Sequence, residues 1–309
     1  MRTALITHEA CFGHDMGEHH PERPQRLQAI GAALAAEEFK ELVRIEAPEA
    51  DDAAIERAHP RDYVQAIRHA APKVGRVRLD ADTVMSPGTL GAALRAAGGA
   101  IRAVDEVMSG RAVNAFVAAR PPGHHAERAT PMGFCFFNNV AIAARHAQKA
   151  HGVERVAIMD FDVHHGNGTQ DIFWSDPTVL YCSTHEMPLY PGTGEESERG
   201  EFDQIVNAPL RAGDDGAVFR EALSEVVLPR IRAFRPDIVL ISAGFDAHWR
   251  DPLANLKLKA EDYAWATAKL IEAAEESAMG RIVSVLEGGY DLVALAESST
   301  AHVRTLMGR

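Results

Sequence analysis

Short runs of apolar residues alternate along the chain with longer stretches rich in alanine and glutamate. The runs at 3–7, 115–119, 155–159, 178–182, 237–242 and 281–286 predict β-strands. Segments such as "DIVLIS" and "RIVSVL" are apolar along their whole interior rather than at alternate positions. Strands read that way when both of their faces are covered. Helices are predicted between them, over 24–36, 89–109, 138–151, 216–234 and 260–277. Gly110 and Gly152 stand at the ends of two of these, where glycine stops a helix. This alternation predicts an α/β fold with a mostly parallel central β-sheet and helices on both faces. No repeat, low-complexity tract or Pro/Gly/Ser linker divides the chain, so a single domain over residues 1–309 is expected.

The polar chemistry is concentrated where strands end. "NAFVAA" runs into "RPPGHH", "RVAIMD" into "FDVHHGNG", "DIVLIS" into "AGFDAH" and "RIVSVL" into "EGGYD". In open α/β sheets ligands bind outside the carboxyl ends of the strands. Incidental loops would not gather such groups on one rim.

Composition narrows the function classes. Hydrophobic residues make up 46% and charged residues 25%, as in ordinary globular proteins. With 309 residues the chain can bury a large core, so a metal would serve chemistry before scaffolding. Its 32 basic and 44 acidic residues give a net charge of −12, which argues against binding nucleic acid or an anionic membrane surface. No apolar run approaches the length of a membrane span, and "MRTALITHEA" lacks the apolar core of a signal peptide. Cys11, Cys135 and Cys182 are widely spaced with no CxxC, so a reduced, cytoplasmic setting is expected. Oligomeric state has no signature in the pattern.

Asp162 and His164 form an Asp-x-His unit leaving a strand, and residues two apart in extended backbone point to one side. Asp246, at another strand end, could complete a set of two carboxylates and one imidazole. Such a set balances a dication and leaves a position open for water, as catalytic zinc sites require. Singly, each of these residues also suits a loop or a cap. His124 and His125 are adjacent, so their side chains diverge, and they fit acid–base work better than shared ligation. An imidazole with a pKa of about 6.5 can take a proton from water and return it. Asp160 and Asn167 are candidates to orient those rings. Gly288 and Gly289 suggest a flexible hinge from which Tyr290 projects to donate to a developing oxyanion. His19 and His20 read as an entry loop, His165 as a loop support, and His59, His69, His146 and His151 as surface or helix residues.

Together, "HHPERPQRL", "RPPGHHA", "GFCFFNNVAIAA", "DFDVHHGNGTQ", "PGTG", "SAGFDAH" with "DPL", and "LEGGYD" resemble the histone deacetylase superfamily, of arginase-like fold. "DVHHGNGTQ" and "RPPGHH" look like its class II branch and bacterial relatives. The resemblance implies a zinc-dependent hydrolase that removes acetyl or other short acyl groups from the lysine ε-amine of proteins or peptides. It implies Asp162, His164 and Asp246 as zinc ligands, with Fe²⁺ compatible with the same set. His125 is implied as the general base and later acid, His124 as mainly electrostatic and held by Asp160, and Tyr290 as the group that polarises the carbonyl. Phe134 and Tyr190 match the walls of an acyl-lysine tunnel, with Gly133 beside them where a side chain would obstruct it. Potassium is implied at Asp160, Asp162, His164 and Ser183, and again around Phe173, Asp176 and Val179.

Two positions qualify the match. Asn167 stands where class I members carry Asp, which removes a charge that would raise the basicity of His125. Leu253 stands where the polyamine-specific branch has an acidic gatekeeper, which lowers acetylpolyamine as the substrate. Other readings are a small-amide amidohydrolase, an acyl-lysine binding module without turnover, and a ureohydrolase-like two-metal enzyme. The last leaves "RPPGHH" and "GGY" unexplained.

Overall fold

A computed structural model describes residues 2–309. Its strands are β1 (Thr3–Thr7), β2 (Val43–Glu46), β3 (Val77–Arg78), β4 (Val84–Met85), β5 (Asn114–Val117), β6 (Val156–Asp160), β7 (Val179–Glu186), β8 (Ile205–Leu210), β9 (Ile238–Ala243) and β10 (Ile282–Leu286). Its α-helices are α1 (Gln25–Ala33), α2 (Asp52–Ile55), α3 (Arg61–Ala70), α4 (Thr89–Met108), α5 (Asn139–His151), α6 (Asn167–Phe173), α7 (Gly216–Ala222), α8 (Leu228–Phe234), α9 (Ala260–Ser277) and α10 (Leu292–Leu306). Apart from the antiparallel β3–β4 hairpin, the strands form one parallel 8-stranded sheet in the order β2-β1-β5-β10-β9-β6-β7-β8.

β5, β6, β9 and β10 are buried at every position, as their unbroken apolar runs predict. They are also neighbours in the middle of the sheet, in the order β5-β10-β9-β6. The strand ends singled out in the sequence therefore form one continuous stretch of rim. The expected helix over 216–234 is present, but Leu223–Val227 widens to a π-helical turn between α7 and α8. The edge strands β2 and β8, and helices α3, α6 and α10, are additions that the apolar pattern does not announce.

Capping holds the helices that frame the rim. Asn138 accepts from the Ala141 amide at 3.0 Å to start α5, and Gly152 ends it at φ +66°. Asp291 accepts from the amides of Val293 and Ala294 to start α10. Among the described residues no helix is long and apolar enough to cross a membrane.

Candidate active site

Asp162 and His164 follow β6, and Asp246 follows β9. All are buried, and one ligand atom from each lies within 4.8 Å of the others. His164 Nδ1 sits 3.1 Å from Asp162 Oδ1 and 3.2 Å from Asp246 Oδ2. The remaining carboxylate oxygens are fixed by backbone: Asp162 Oδ2 accepts the Gly288 amide at 2.7 Å, and Asp246 Oδ1 accepts the Val163 amide at 2.9 Å. Among the described residues neither carboxylate is paired with Arg or Lys. A buried anionic pair around one imidazole needs a proton or a cation at its centre. The donor set fits a zinc ion with three protein ligands.

Without metal, the proton takes that place. Burial disfavours a charged His164, but its bonds to Asp162 and Asp246 outweigh this and push it up to about 10. Metal and proton then compete for one nitrogen. Zinc added to metal-free protein at pH 7.5 should therefore release about one proton from this site, and affinity should fall as pH is lowered. Titration calorimetry in buffers of different ionisation enthalpy measures this. No buffer dependence of the heat would refute it.

The two adjacent histidines are placed differently. His124 Nδ1 donates to Asp160 Oδ2 at 3.0 Å, and the same oxygen accepts from the Tyr181 hydroxyl at 3.1 Å. Burial opposes charge on His124, but Asp162 and Asp160 raise it to about 10, so it is cationic at neutral pH in the metal-free site. His125 is depressed well below 6.5, first by burial and then by the positive charges of His124 and His164. His125 Nδ1 lies 2.8 Å from Asn167 Oδ1, while Asn167 Nδ2 donates to Glu127 Oε1 at 2.9 Å. Glu127 thus turns the amide so that its oxygen faces the ring. This assigns the His125 proton to Nδ1 and leaves Nε2 with a free lone pair.

The turn that mounts these histidines is held by Glu287 at the end of β10. Its buried carboxylate accepts the amides of Gly123 at 2.6 Å and His124 at 3.1 Å, and the Ser242 hydroxyl at 3.2 Å. "HHPERPQRL" has a similar mechanical part. Arg26 donates to the carbonyls of Gly289 at 2.6 Å and Glu287 at 2.5 Å, and its guanidinium lies 4.9 Å from the centre of the Tyr290 ring. Glu22 pairs with both Arg26 and Arg120, all buried. Burial opposes its ionisation, yet Arg120 and His14 hold it well below the usual carboxylate range.

The hinge expected at Gly288–Gly289 is a clamp instead. Arg26 holds the Gly289 carbonyl, the Phe245 amide donates to Gly288 O at 3.0 Å, and Asp251 Oδ2 accepts the Tyr290 amide at 2.8 Å. Gly288 answers to close packing: a Cβ there would stand 2.0 Å from Asp246 Oδ2. Gly289, at φ +119°, supplies the backbone shape. Tyr290 is buried and its phenol is pushed well above 10 by burial, so it stays a donor.

Phe134 packs edge-on against Tyr290 at 6.0 Å, and Tyr190 edge-on against His125 at 5.2 Å. At Gly133 a Cβ would meet the His125 ring at 2.4 Å. His20 packs edge-on against Phe134 at 4.7 Å, so this "entry loop" residue also borders the site. Leu253 lies two residues after Asp251, whose other oxygen accepts its amide at 3.0 Å. Asp160 and Ser183 are register partners on β6 and β7. Phe173, Asp176 and Val179 share a turn in which the Asp176 amide donates to Phe173 O and the Val179 amide to Asp176 O. His165 supports its loop through Thr193 at 2.8 Å and Gln170 at 3.1 Å. His59 is not a surface residue: it is buried, accepts the Asn138 amide at 2.9 Å and bonds Arg128 O at 3.1 Å.

Residues 20–306 match the model of the histone deacetylase domain. The chain belongs to the histone deacetylase family. A probable deacetylase of Archaeoglobus fulgidus is 41% identical over 298 residues, spanning 94% of this chain and 82% of its own. A histone deacetylase-like amidohydrolase of Pseudomonas aeruginosa is 36% identical over 332 residues, spanning 99% and 86%. The crystal structure of the HDA15 HD domain superposes with a TM-score of 0.95 at 37% identity, covering 100% of this chain and 88% of that one. The chain thus has the deacetylase fold and belongs to a family of deacetylases and amidohydrolases.

Proposed function

We propose that this protein is a zinc-dependent deacylase that removes acetyl or other short acyl groups from the lysine ε-amine of peptides or proteins. The observation that carries the reading is the 2.8 Å contact of His125 Nδ1 with Asn167 Oδ1, which assigns a lone pair to Nε2 on a ring 5.9 Å from that of His164 in the three-ligand cation site. Asp162, His164 and Asp246 would hold the ion. When bound, Zn²⁺ supplies Lewis acidity toward the acyl carbonyl and the attacking water. His125 Nε2 takes the water's proton and later gives it to the departing lysine amine. Tyr290 donates its phenolic hydrogen to the oxyanion. His124, whose Nδ1 donates to Asp160 Oδ2 at 3.0 Å, would act mainly electrostatically beside the developing negative charge.

Phe134 and Tyr190 would flank the acyl-lysine stem, and Leu253 would offer an apolar rim without a partner for a second ammonium. Fe²⁺ suits the same ligands. Potassium would serve as structural support at Asp160, Asp162, His164 and Ser183, and around Phe173, Asp176 and Val179.

The test is a panel of acyl-lysine peptides of graded chain length, run beside acetylated polyamines. Each is assayed with metal-stripped, zinc-restored and anaerobically iron-restored protein. Short acyl-lysines should show the highest kcat/KM, and stripping should remove turnover until a dication is returned. Turnover that survives verified metal removal would sink the proposal, and a preference for acetylpolyamines would reassign the substrate.

A further inference from the structure

A second group of ligand-type side chains lies away from the rim. Asp105 is in the last turn of α4, and His146 and His151 are near and at the end of α5. Helix α5 starts beside the histidine turn, where Asn139 Nδ2 donates to Pro121 O at 3.2 Å. The cluster is therefore at the far end of that helix, roughly 20 Å away at about 1.5 Å per residue. His146 Nε2 and His151 Nε2 both lie 2.7 Å from the same atom, Asp105 Oδ1. One ligand atom from each residue lies within 4.8 Å of the others.

We propose that Asp105, His146 and His151 form a second site for a divalent transition-metal ion, filled by Zn²⁺, that ties α4 to α5. Two imidazoles and one carboxylate are borderline donors that suit Zn²⁺ and Co²⁺ rather than Mg²⁺ or Ca²⁺. Both helices present their C-terminal, partially negative ends here, which favours a cation. All three side chains keep some exposure, at 34% for Asp105, 13% for His146 and 24% for His151, so an ion has access. Present spacing suits two N–H···O bonds. Zinc between these atoms, with bonds of about 2.0–2.2 Å, needs each nitrogen to draw back by about half an ångström. Partly exposed side chains at or near helix ends allow that.

One neighbour works against the ion. Arg57 Nη1 approaches His146 Nδ1 at 3.0 Å, which marks that nitrogen as an acceptor. Ligation through Nε2 moves the ring proton to Nδ1, so the half-buried Arg57 must turn away. Arg111 also approaches, donating to Asp105 O at 3.3 Å, but Arg57 puts its positive charge against a ligand ring. Removing it should therefore strengthen metal binding, whereas removing a ligand should abolish it.

The experiment uses the full, tag-free chain, freed of metal and titrated with Zn²⁺, with metal content checked by mass spectrometry. Wild type should bind a second equivalent beyond the tight one at the rim. Asp105→Ala and His151→Ala should each lose only that second equivalent and keep deacylase activity. Arg57→Ala should bind it roughly two- to fivefold more tightly, as loss of a charge at a partly exposed site implies. Co²⁺ should give matching stoichiometry, with a visible spectrum at the second equivalent that His151→Ala removes. A wild type that takes up only one equivalent at about 100 µM free zinc overturns the proposal. So does a second equivalent that persists in Asp105→Ala, or weaker binding in Arg57→Ala.

Discussion

Replacing His125 by alanine should lower kcat by roughly 10²–10⁴-fold while changing KM little, the range that a lost general acid–base group produces. The argument rests on a chain of contacts. Glu127 orients the Asn167 amide, Asn167 accepts from His125 Nδ1, and Nε2 is left as the only basic nitrogen of that ring. Asn167→Ala should cost less, because it frees the ring without removing it. The sign of the pH dependence also follows. His125 acts as a base only when neutral; in the metal-free site burial, then the charges of His124 and His164, hold its pKa well below 6.5, and a dication in place of the His164 proton disfavours the charged ring in the same direction. The acid limb of kcat/KM should therefore lie below pH 6.5. Removing the His124 charge in His124→Ala should move that limb to higher pH. Steady-state kinetics on an acetyl-lysine peptide across pH 4.5–8 would decide, and a His125→Ala enzyme within tenfold of wild type would move proton transfer to another group.

The second large effect is expected from a methyl group. Gly288→Ala places a Cβ 2.0 Å from Asp246 Oδ2 and 2.6 Å from Asp162 Oδ2. Both carboxylates are packed against backbone and cannot retreat without breaking their bonds to the amides of Val163 and Gly288. Gly288 is not in the left-handed region, so alanine fits its backbone and the damage is local. The variant should fold, retain its far-UV spectrum, fail to hold tight zinc after dialysis and lose nearly all turnover. Gly91→Ala is the control, since nothing lies within 4 Å of the Cβ it adds to α4. If Gly288→Ala holds zinc as wild type does, the carboxylates are not the rigid ligands described.

Apolar continuity located the central strands to within a residue or two, because a buried parallel strand must be apolar on both faces. It could not find β2, whose "VRIE" is largely exposed at one sheet edge, or β8, which carries Pro209 at the other. β2 answers to solvent as well as to the core, so its pattern is diluted, whereas β8 is largely buried and its apolar run is broken by Asn207 and Pro209. The ligand and proton-transfer residues stood out because strand ends gathered them and because their motifs resemble a family. Glu287, Glu127, Arg26 and Asp251 lay within or beside the same motifs. A carboxylate that serves backbone amides, or a guanidinium that serves carbonyls, has no spacing rule, since its partners belong to other segments.

By itself the sequence determined the class of fold, the rim where chemistry gathers and the residue types that carry it. These depend on local periodicity and on side-chain chemistry, both written in the chain. Tertiary structure alone decided that β5, β10, β9 and β6 stand side by side, which makes one site of segments far apart in the chain. It also supplied the contacts that make the two adjacent histidines differ, a difference the family resemblance only implies. In the metal-free site His124 meets carboxylates that favour its charged form, while His125 meets an amide turned by Glu127 and burial favours its neutral form. Burial and the sign of the nearest charge set those states, and both are properties of packing rather than of any single stretch of residues.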